Sequence, residues 1–174
     1  MIIIGYPGVG KTSLAGRYNQ YIDLESSNWN NPDNTKPDYW WWSYGKVAED
    51  LSRQGYRVFV SCHPSVQKYF EESNEYVMVL YPSLELKEEW IKRVADRYDR
   101  DRSMKNLAAL NNVELYYDNQ IRLLDDSPFE NKLKLKDMNY TLDNEIDNVV
   151  LKGYTTTWKD DTIGVKHIIA IKNL

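Results

Sequence analysis

The chain carries a single cysteine, Cys62, among 174 residues, so no disulfide can form within it. It also lacks a dominant charge: Lys and Arg number 22 against 26 Asp and Glu, a formal net charge of -4. Such a balance draws a molecule neither to nucleic acid nor to an anionic membrane, so any polyanion site has to be local. Long apolar runs are missing too, since Ile2-Ile3-Ile4 is far too short for a signal h-region or a membrane span. There is no low-complexity tract and no internal repeat. These absences point to a cytoplasmic protein with no membrane partner and with nucleic acid disfavoured. What is present, 42% hydrophobic and 28% charged residues in one ordinary domain's length, suits a globular fold with one sizeable core and argues against disorder.

The most specific stretch comes first. Ile2-Ile3-Ile4 reads as a buried central parallel strand, and Gly5-Tyr6-Pro7-Gly8-Val9-Gly10-Lys11-Thr12 fits GxxxxGK[ST], the phosphate-cradling P-loop or Walker A motif. A run of backbone N–H groups can wrap a phosphate chain only where no Cβ intervenes, which Gly5, Gly8 and Gly10 provide. Lys11 can bridge the outer phosphates, Thr12 can offer its hydroxyl to Mg²⁺, and Ser13 continues into a helix whose positive end faces the anion. Residues 5–13 are therefore expected to bind ATP with Mg²⁺. The motif alone does not name the reaction, because kinases, GTPases, motor ATPases and sulfotransferases share it.

The rest of the chain alternates strands and helices. After a helix from Lys11 to Tyr18, Tyr21 to Glu25 reads as a strand ending in acids, and residues 26–38 as a turn-rich loop of functional length. A helix from Tyr39 stops before Gly55, a strand covers Tyr56 to Ser61, and a short helix starts at His63-Pro64. Tyr76 to Leu80 is a fourth strand, broken by Pro82. Leu86, Trp90, Val94 and Tyr98 mark one face of the next helix, and a further helix runs from Ser103 to Leu124. "NKLKLKD" gives a fifth strand before a helix at Asp143 to Val150. The expected architecture is α/β: a three-layer P-loop NTPase fold, a parallel five-stranded sheet flanked by helices over residues 1–150. Residues 151–174 add a β-hairpin-like C-terminal extension, with arms Tyr154 to Trp158 and Ile163 to Ile171, through which copies of the chain could pair. With the first strand at residue 2, any additional function is expected in the lid region or beyond Gly153.

Several P-loop classes are disfavoured by what is misplaced or missing. Thr35-Lys36-Pro37-Asp38 and Asp161-Thr162-Ile163-Gly164 match the guanine clamp and DxxG patterns of switch GTPases, but in the wrong order and position. The third and fourth strands end in Ser61-Cys62-His63 and Tyr81-Pro82, without the carboxylate that ATP-driven machines place there. Val113 to Asp118 could supply one, but its neighbours follow a helical period.

An acid-tipped second strand, an aromatic-rich helix after a long loop and the arginine-dense stretch Trp90-Ile91-Lys92-Arg93-Val94-Ala95-Asp96-Arg97 remain. In this the chain resembles the nucleoside monophosphate kinase family, including its guanylate and adenylate kinase branches and short phage-encoded members. The resemblance covers the order of elements over about residues 1–150. It implies an acceptor-binding segment at about 26–55 and an arginine lid segment at about 85–105. It also implies an ATP- and Mg²⁺-dependent transfer to a nucleoside or deoxynucleoside monophosphate. Lys11 and Thr12 fall on the family's phosphate lysine and Mg²⁺ hydroxyl, and Arg93 and Arg97 on its RxxxR helix.

The residue types suit that chemistry. A guanidinium meets two oxygens of a transferring phosphoryl group at once, and Arg93, Arg97 and Arg100 could share one helix face, although Glu89 and Asp96 are spaced to form surface ion pairs with them. Asp23 and Glu25 would face the acceptor, Asp23 as a base or as a partner of Mg²⁺ waters. The three tryptophans Trp40, Trp41 and Trp42 cannot all face one core, so Trp41 or Trp42 with Tyr44 could stack on an acceptor base. His63 could also touch the acceptor. Two alternatives remain open, a polynucleotide 5′-hydroxyl kinase with Asp23 as base, and a regulatory protein that holds or slowly hydrolyses ATP.

Overall fold

The computed structural model of the protein describes residues 1–152, 154–160 and 166–172. Its sheet is all-parallel and five-stranded: β1 (Ile2–Gly5), β2 (Tyr21–Asp23), β3 (Arg57–Ser61), β4 (Val77–Pro82) and β5 (Asn131–Leu135), in the order β2-β3-β1-β4-β5. β1 is central, with Ile2 opposite Val58 on one side and Val77 on the other. Its four residues are buried, as are all six of β4, which is why both read as unbroken apolar runs.

Helices flank this sheet: α1 (Lys11–Ala15), α2 (Trp40–Arg53), α3 (Pro64–Glu71), α4 (Lys87–Arg100) and α5 (Met104–Asp125). Trp90 and Val94 of α4, and Val113, Tyr117, Ile121 and Leu124 of α5, are buried. Tyr117 donates its hydroxyl to Ser83 O at 2.8 Å and meets Tyr6 edge-on at 5.8 Å between ring centres. α2 and α3 approach closely at Gly45, where a Cβ would lie 2.4 Å from Tyr69 Cε1.

Some boundaries differ from the sequence reading. α1 stops at Ala15 because Gly16 follows as its C-cap. β2 ends at Asp23, and Glu25 instead caps a 3-10 turn over Ser26–Trp29, accepting from Ser27 N at 3.2 Å. Pro82 does not break β4: it is the last paired residue, opposite Leu135, where its missing N–H leaves no ladder bond open inside the strand.

The chain divides into two compact units, Met1–Tyr140 and Thr141–Leu174. The first holds the whole sheet and α1 to α5. The second holds α6 (Leu142–Lys152) and an antiparallel pair, β6 (Tyr154–Asp160) and β7 (Lys166–Lys172), in register from Tyr154 opposite Lys172 to Asp160 opposite Lys166. α6 thus groups with the extension, where the sequence placed the boundary at residue 150. Gly153 and the Asp161 to Gly164 pattern lie outside the described residues. Among the described residues no helix is long and apolar enough to cross a membrane.

Candidate functional site

The glycine loop of residues 5–12 leaves the carboxyl end of β1, between β3 and β4. Crossovers in this strand order depart to opposite sides of β1, so a crevice opens there. Gly8 and Gly10 have φ of +88° and +103°, in the left-handed region that favours glycine. A Cβ on Gly8 would also sit 3.0 Å from Trp90 Nε1 and 3.1 Å from Val94 Cγ2, so α4 packs directly against the loop.

The carbonyls of the loop are taken by side chains. Trp90 Nε1 donates to Pro7 O at 2.8 Å, the Tyr140 hydroxyl to Val9 O at 3.0 Å, and Lys11 Nζ to Gly5 O at 2.7 Å and Tyr6 O at 3.2 Å. The amides of Gly8, Gly10, Lys11, Thr12 and Ser13 donate to no backbone carbonyl among the described residues. Donors are therefore left over where acceptors are used up, which is the polarity an anion site needs. Tyr6 and Val9 are buried and their amides already donate to Leu80 O and Tyr6 O, so of the residues assigned to this loop these two offer a ligand neither side chain nor amide.

Charged groups gather beside the loop. Thr12 Oγ1 donates to Asp23 Oδ2 at 2.5 Å, joining the start of α1 to the tip of β2. Burial pushes the Lys11 ammonium below its ordinary value, with Arg97 adding to the lowering and Cys62, Asp23 and Glu25 opposing it. Burial raises the Cys62 thiol, against the pull of Lys11, which keeps it protonated. Burial also works to raise the Glu25 carboxyl, but Lys105, Ser27 N–H and Lys11 outweigh it and hold the group below the usual range. No cluster of three His, Cys, Asp or Glu suited to a metal occurs among the described residues.

The arginines of α4 end on different partners. Arg97 Nε donates to Asn106 Oδ1 at 2.7 Å, on the side of Lys11. Arg93 lies between the rings of Trp90 and Tyr140, 5.1 and 5.2 Å from their centres. Arg100 is exposed and bonds the Asp96 carbonyl of its own helix at 3.0 Å. Arg93 and Arg100 line an open groove of about 860 Å³ with Lys92, Lys136, Asp137 and Asn139. The spacing puts Arg93, Arg97 and Arg100 in nearly one direction from the helix axis, but their guanidinium groups end on different partners, so they do not act as one cluster.

On the other flank the aromatic segment is mostly structural. Tyr44 is fully buried; its hydroxyl donates to Leu24 O at 2.7 Å and accepts from Ser61 N at 2.9 Å. That corrects the expectation of a stacking platform, since this ring is a strut tying α2 to β3. Trp40 is buried, Trp42 is 54% exposed and Trp41 is intermediate, between Tyr39 and Tyr69 at 6.3 and 6.2 Å. His63 caps α3, its Nδ1 accepting from Ser65 N at 3.3 Å, so only Nε2 is left for a ligand. Burial and the charge of Lys36 hold this imidazole below its ordinary pKa.

Sequence reasoning missed Tyr140, Asn106 and Lys105. Tyr140 reaches the loop across 131 positions, and no local pattern marks such a contact. Lys105 pairs with Glu25 Oε2, and a lone lysine in a helix's first turn carries no signature.

No protein-family model matches the chain. No curated protein matches it either. The chain is similar to an uncharacterized protein from Eubacterium ventriosum ATCC 27560, known from a crystal structure, with 13% identity, 86% of this chain and 94% of that one covered, and a TM-score of 0.42. A likeness of that degree carries no argument about what this chain does.

Proposed function

We propose that the chain is an ATP- and Mg²⁺-dependent phosphotransferase with a P-loop, acting on a nucleoside or deoxynucleoside monophosphate. The observation that carries this reading is the Thr12–Asp23 hydrogen bond beside a loop whose amides are free and whose lysine lies at its centre. A chance glycine-rich turn has no reason to face a carboxylate from another strand.

Lys11 and the amides of Gly8, Gly10, Lys11, Thr12 and Ser13 would hold the donor's phosphates. Thr12 and Asp23 fit Mg²⁺, a hard cation that takes few protein oxygens and keeps several waters, better than an ion needing a full protein cage. Once bound, Mg²⁺ would neutralise charge on the phosphate chain. An acceptor phosphate oxygen then bonds to the γ-phosphorus as the β–γ bridging P–O bond breaks, and ADP leaves with that electron pair. Arg97 would meet charge on the equatorial oxygens.

The test incubates the protein with ATP, Mg²⁺ and each ribo- and deoxyribonucleoside monophosphate in turn. Diphosphate product with stoichiometric ADP is expected for at least one, and Lys11→Ala should lower turnover about a hundredfold or more. No diphosphate across the panel overturns the proposal. A 5′-hydroxyl oligonucleotide in the same panel would become labelled if Asp23 instead serves as base for a polynucleotide kinase.

A further inference from the structure

Lys105 is the second residue of α5, and its ammonium pairs with the carboxylate of Glu25, two residues beyond the Asp23 that bonds Thr12. The corner that carries it is well fixed. Ser103 caps α5, its hydroxyl accepting from Asn106 N at 3.4 Å. Asn106 is 5% exposed and donates Nδ2 to Asp101 O at 2.7 Å and to Asp101 Oδ2 at 2.9 Å, while its Oδ1 receives Arg97 Nε. One buried amide therefore both aims Arg97 and locks the turn that delivers Lys105.

Lys105 meets Glu25 directly, and Lys11, from a different element, feels the charge of both Asp23 and Glu25, so two cations converge on these carboxylates. The side chains of Lys105 and Glu25 are 45% and 29% exposed, so this pair is open to exchange in a way a core ion pair is not. A lysine ammonium on a flexible four-carbon stem can change partners without moving its helix.

We propose that Lys105 is a phosphate-binding residue of this site, with Glu25 as the competing partner that a nucleotide's phosphate oxygen displaces. The inference rests on the phosphate-site reading given above. It gives Glu25 a role other than base or metal partner: its carboxylate sets how much affinity Lys105 contributes.

The experiment is calorimetric titration of the full chain with Mg·ATP and, separately, inorganic tripolyphosphate, which has no base or sugar. Lys105→Met is expected to weaken both probes about tenfold or more, the usual scale for a hydrogen bond to a charged group, and Lys105→Arg to recover part of the loss. Glu25→Gln is expected to tighten both several-fold, and that gain should vanish in the Lys105→Met background. Unchanged affinity in Lys105→Met, or a Glu25→Gln gain that persists without Lys105, overturns the assignment. If that happens while Lys11→Ala still abolishes binding, the nucleotide reading stands and only the role of Lys105 falls. If the unaltered chain binds neither probe, both fall.

Discussion

Glu49 is a carboxylate only 5% exposed, in the middle of α2. Lys46 Nζ and Arg53 Nη2 reach its Oε2 at 3.0 and 3.1 Å, and the Tyr69 hydroxyl donates to Oε1 at 2.9 Å. Burial acts to raise its pKa, but these hydrogen bonds and the two cations prevail and hold it below its ordinary 4.5. A carboxyl lowered on folding contributes stability that is complete above the unfolded value and is lost as pH falls through the folded one. Lys46 and Arg53 are 47% and 60% exposed, so their share is screened, and most of the effect comes from Tyr69 and the buried carboxylate. Glu49→Ala should cost about 2 kcal/mol at pH 7, read from urea midpoints, and the gap from the unaltered chain should close as pH drops below 4.5. A gap that does not change with pH would mean the loss is one of packing alone.

Between elements, α2 and α3 approach closely at Gly45. Gly45 is a poor helix residue, and alanine there would ordinarily add about 1 kcal/mol. The Cβ would fall 2.4 Å from the Tyr69 ring, whose hydroxyl is held by Glu49. Gly45→Ala should therefore be a net loss of about 1 kcal/mol or more in urea unfolding, and a gain would show that α3 can shift freely. Elements of this kind were legible in the sequence where one physical signal dominated. Ile2 to Ile4 and Val77 to Leu80 are strands because both faces are covered, and Trp40, Trp41 and Trp42 split between core and solvent because a helix turns each by about 100°. Asp23 was legible as a strand-tip acid. Tyr44 was misread because nothing local says that its hydroxyl meets Leu24 and Ser61. Arg93 and Arg97 were read as one cluster because spacing fixes a direction from the axis and not the neighbour waiting there, here Tyr140 for one and Asn106 for the other.

At the level of the molecule, every strand of the five-stranded sheet, and each residue described above beside the glycine loop, lies within Met1–Tyr140. A chain ending after Lys152 is accordingly expected to keep the urea midpoint and the Mg·ATP affinity of the full chain. Loss of either would assign residues 153–174 to the core or to the site.

The central position of β1 also bears on how the protein is made. Translation delivers Ile2, Ile3 and Ile4 before either partner: Val58 to Val60 and Val77 to Val79 are dozens of residues away along the message. The most apolar segment of the sheet must therefore wait unpaired on the nascent chain until β3 and β4 have emerged, and such long-range parallel pairing is intrinsically slow. The ribosome thus delivers this sheet from its middle, and until β4 emerges one edge of β1 has no strand to pair with.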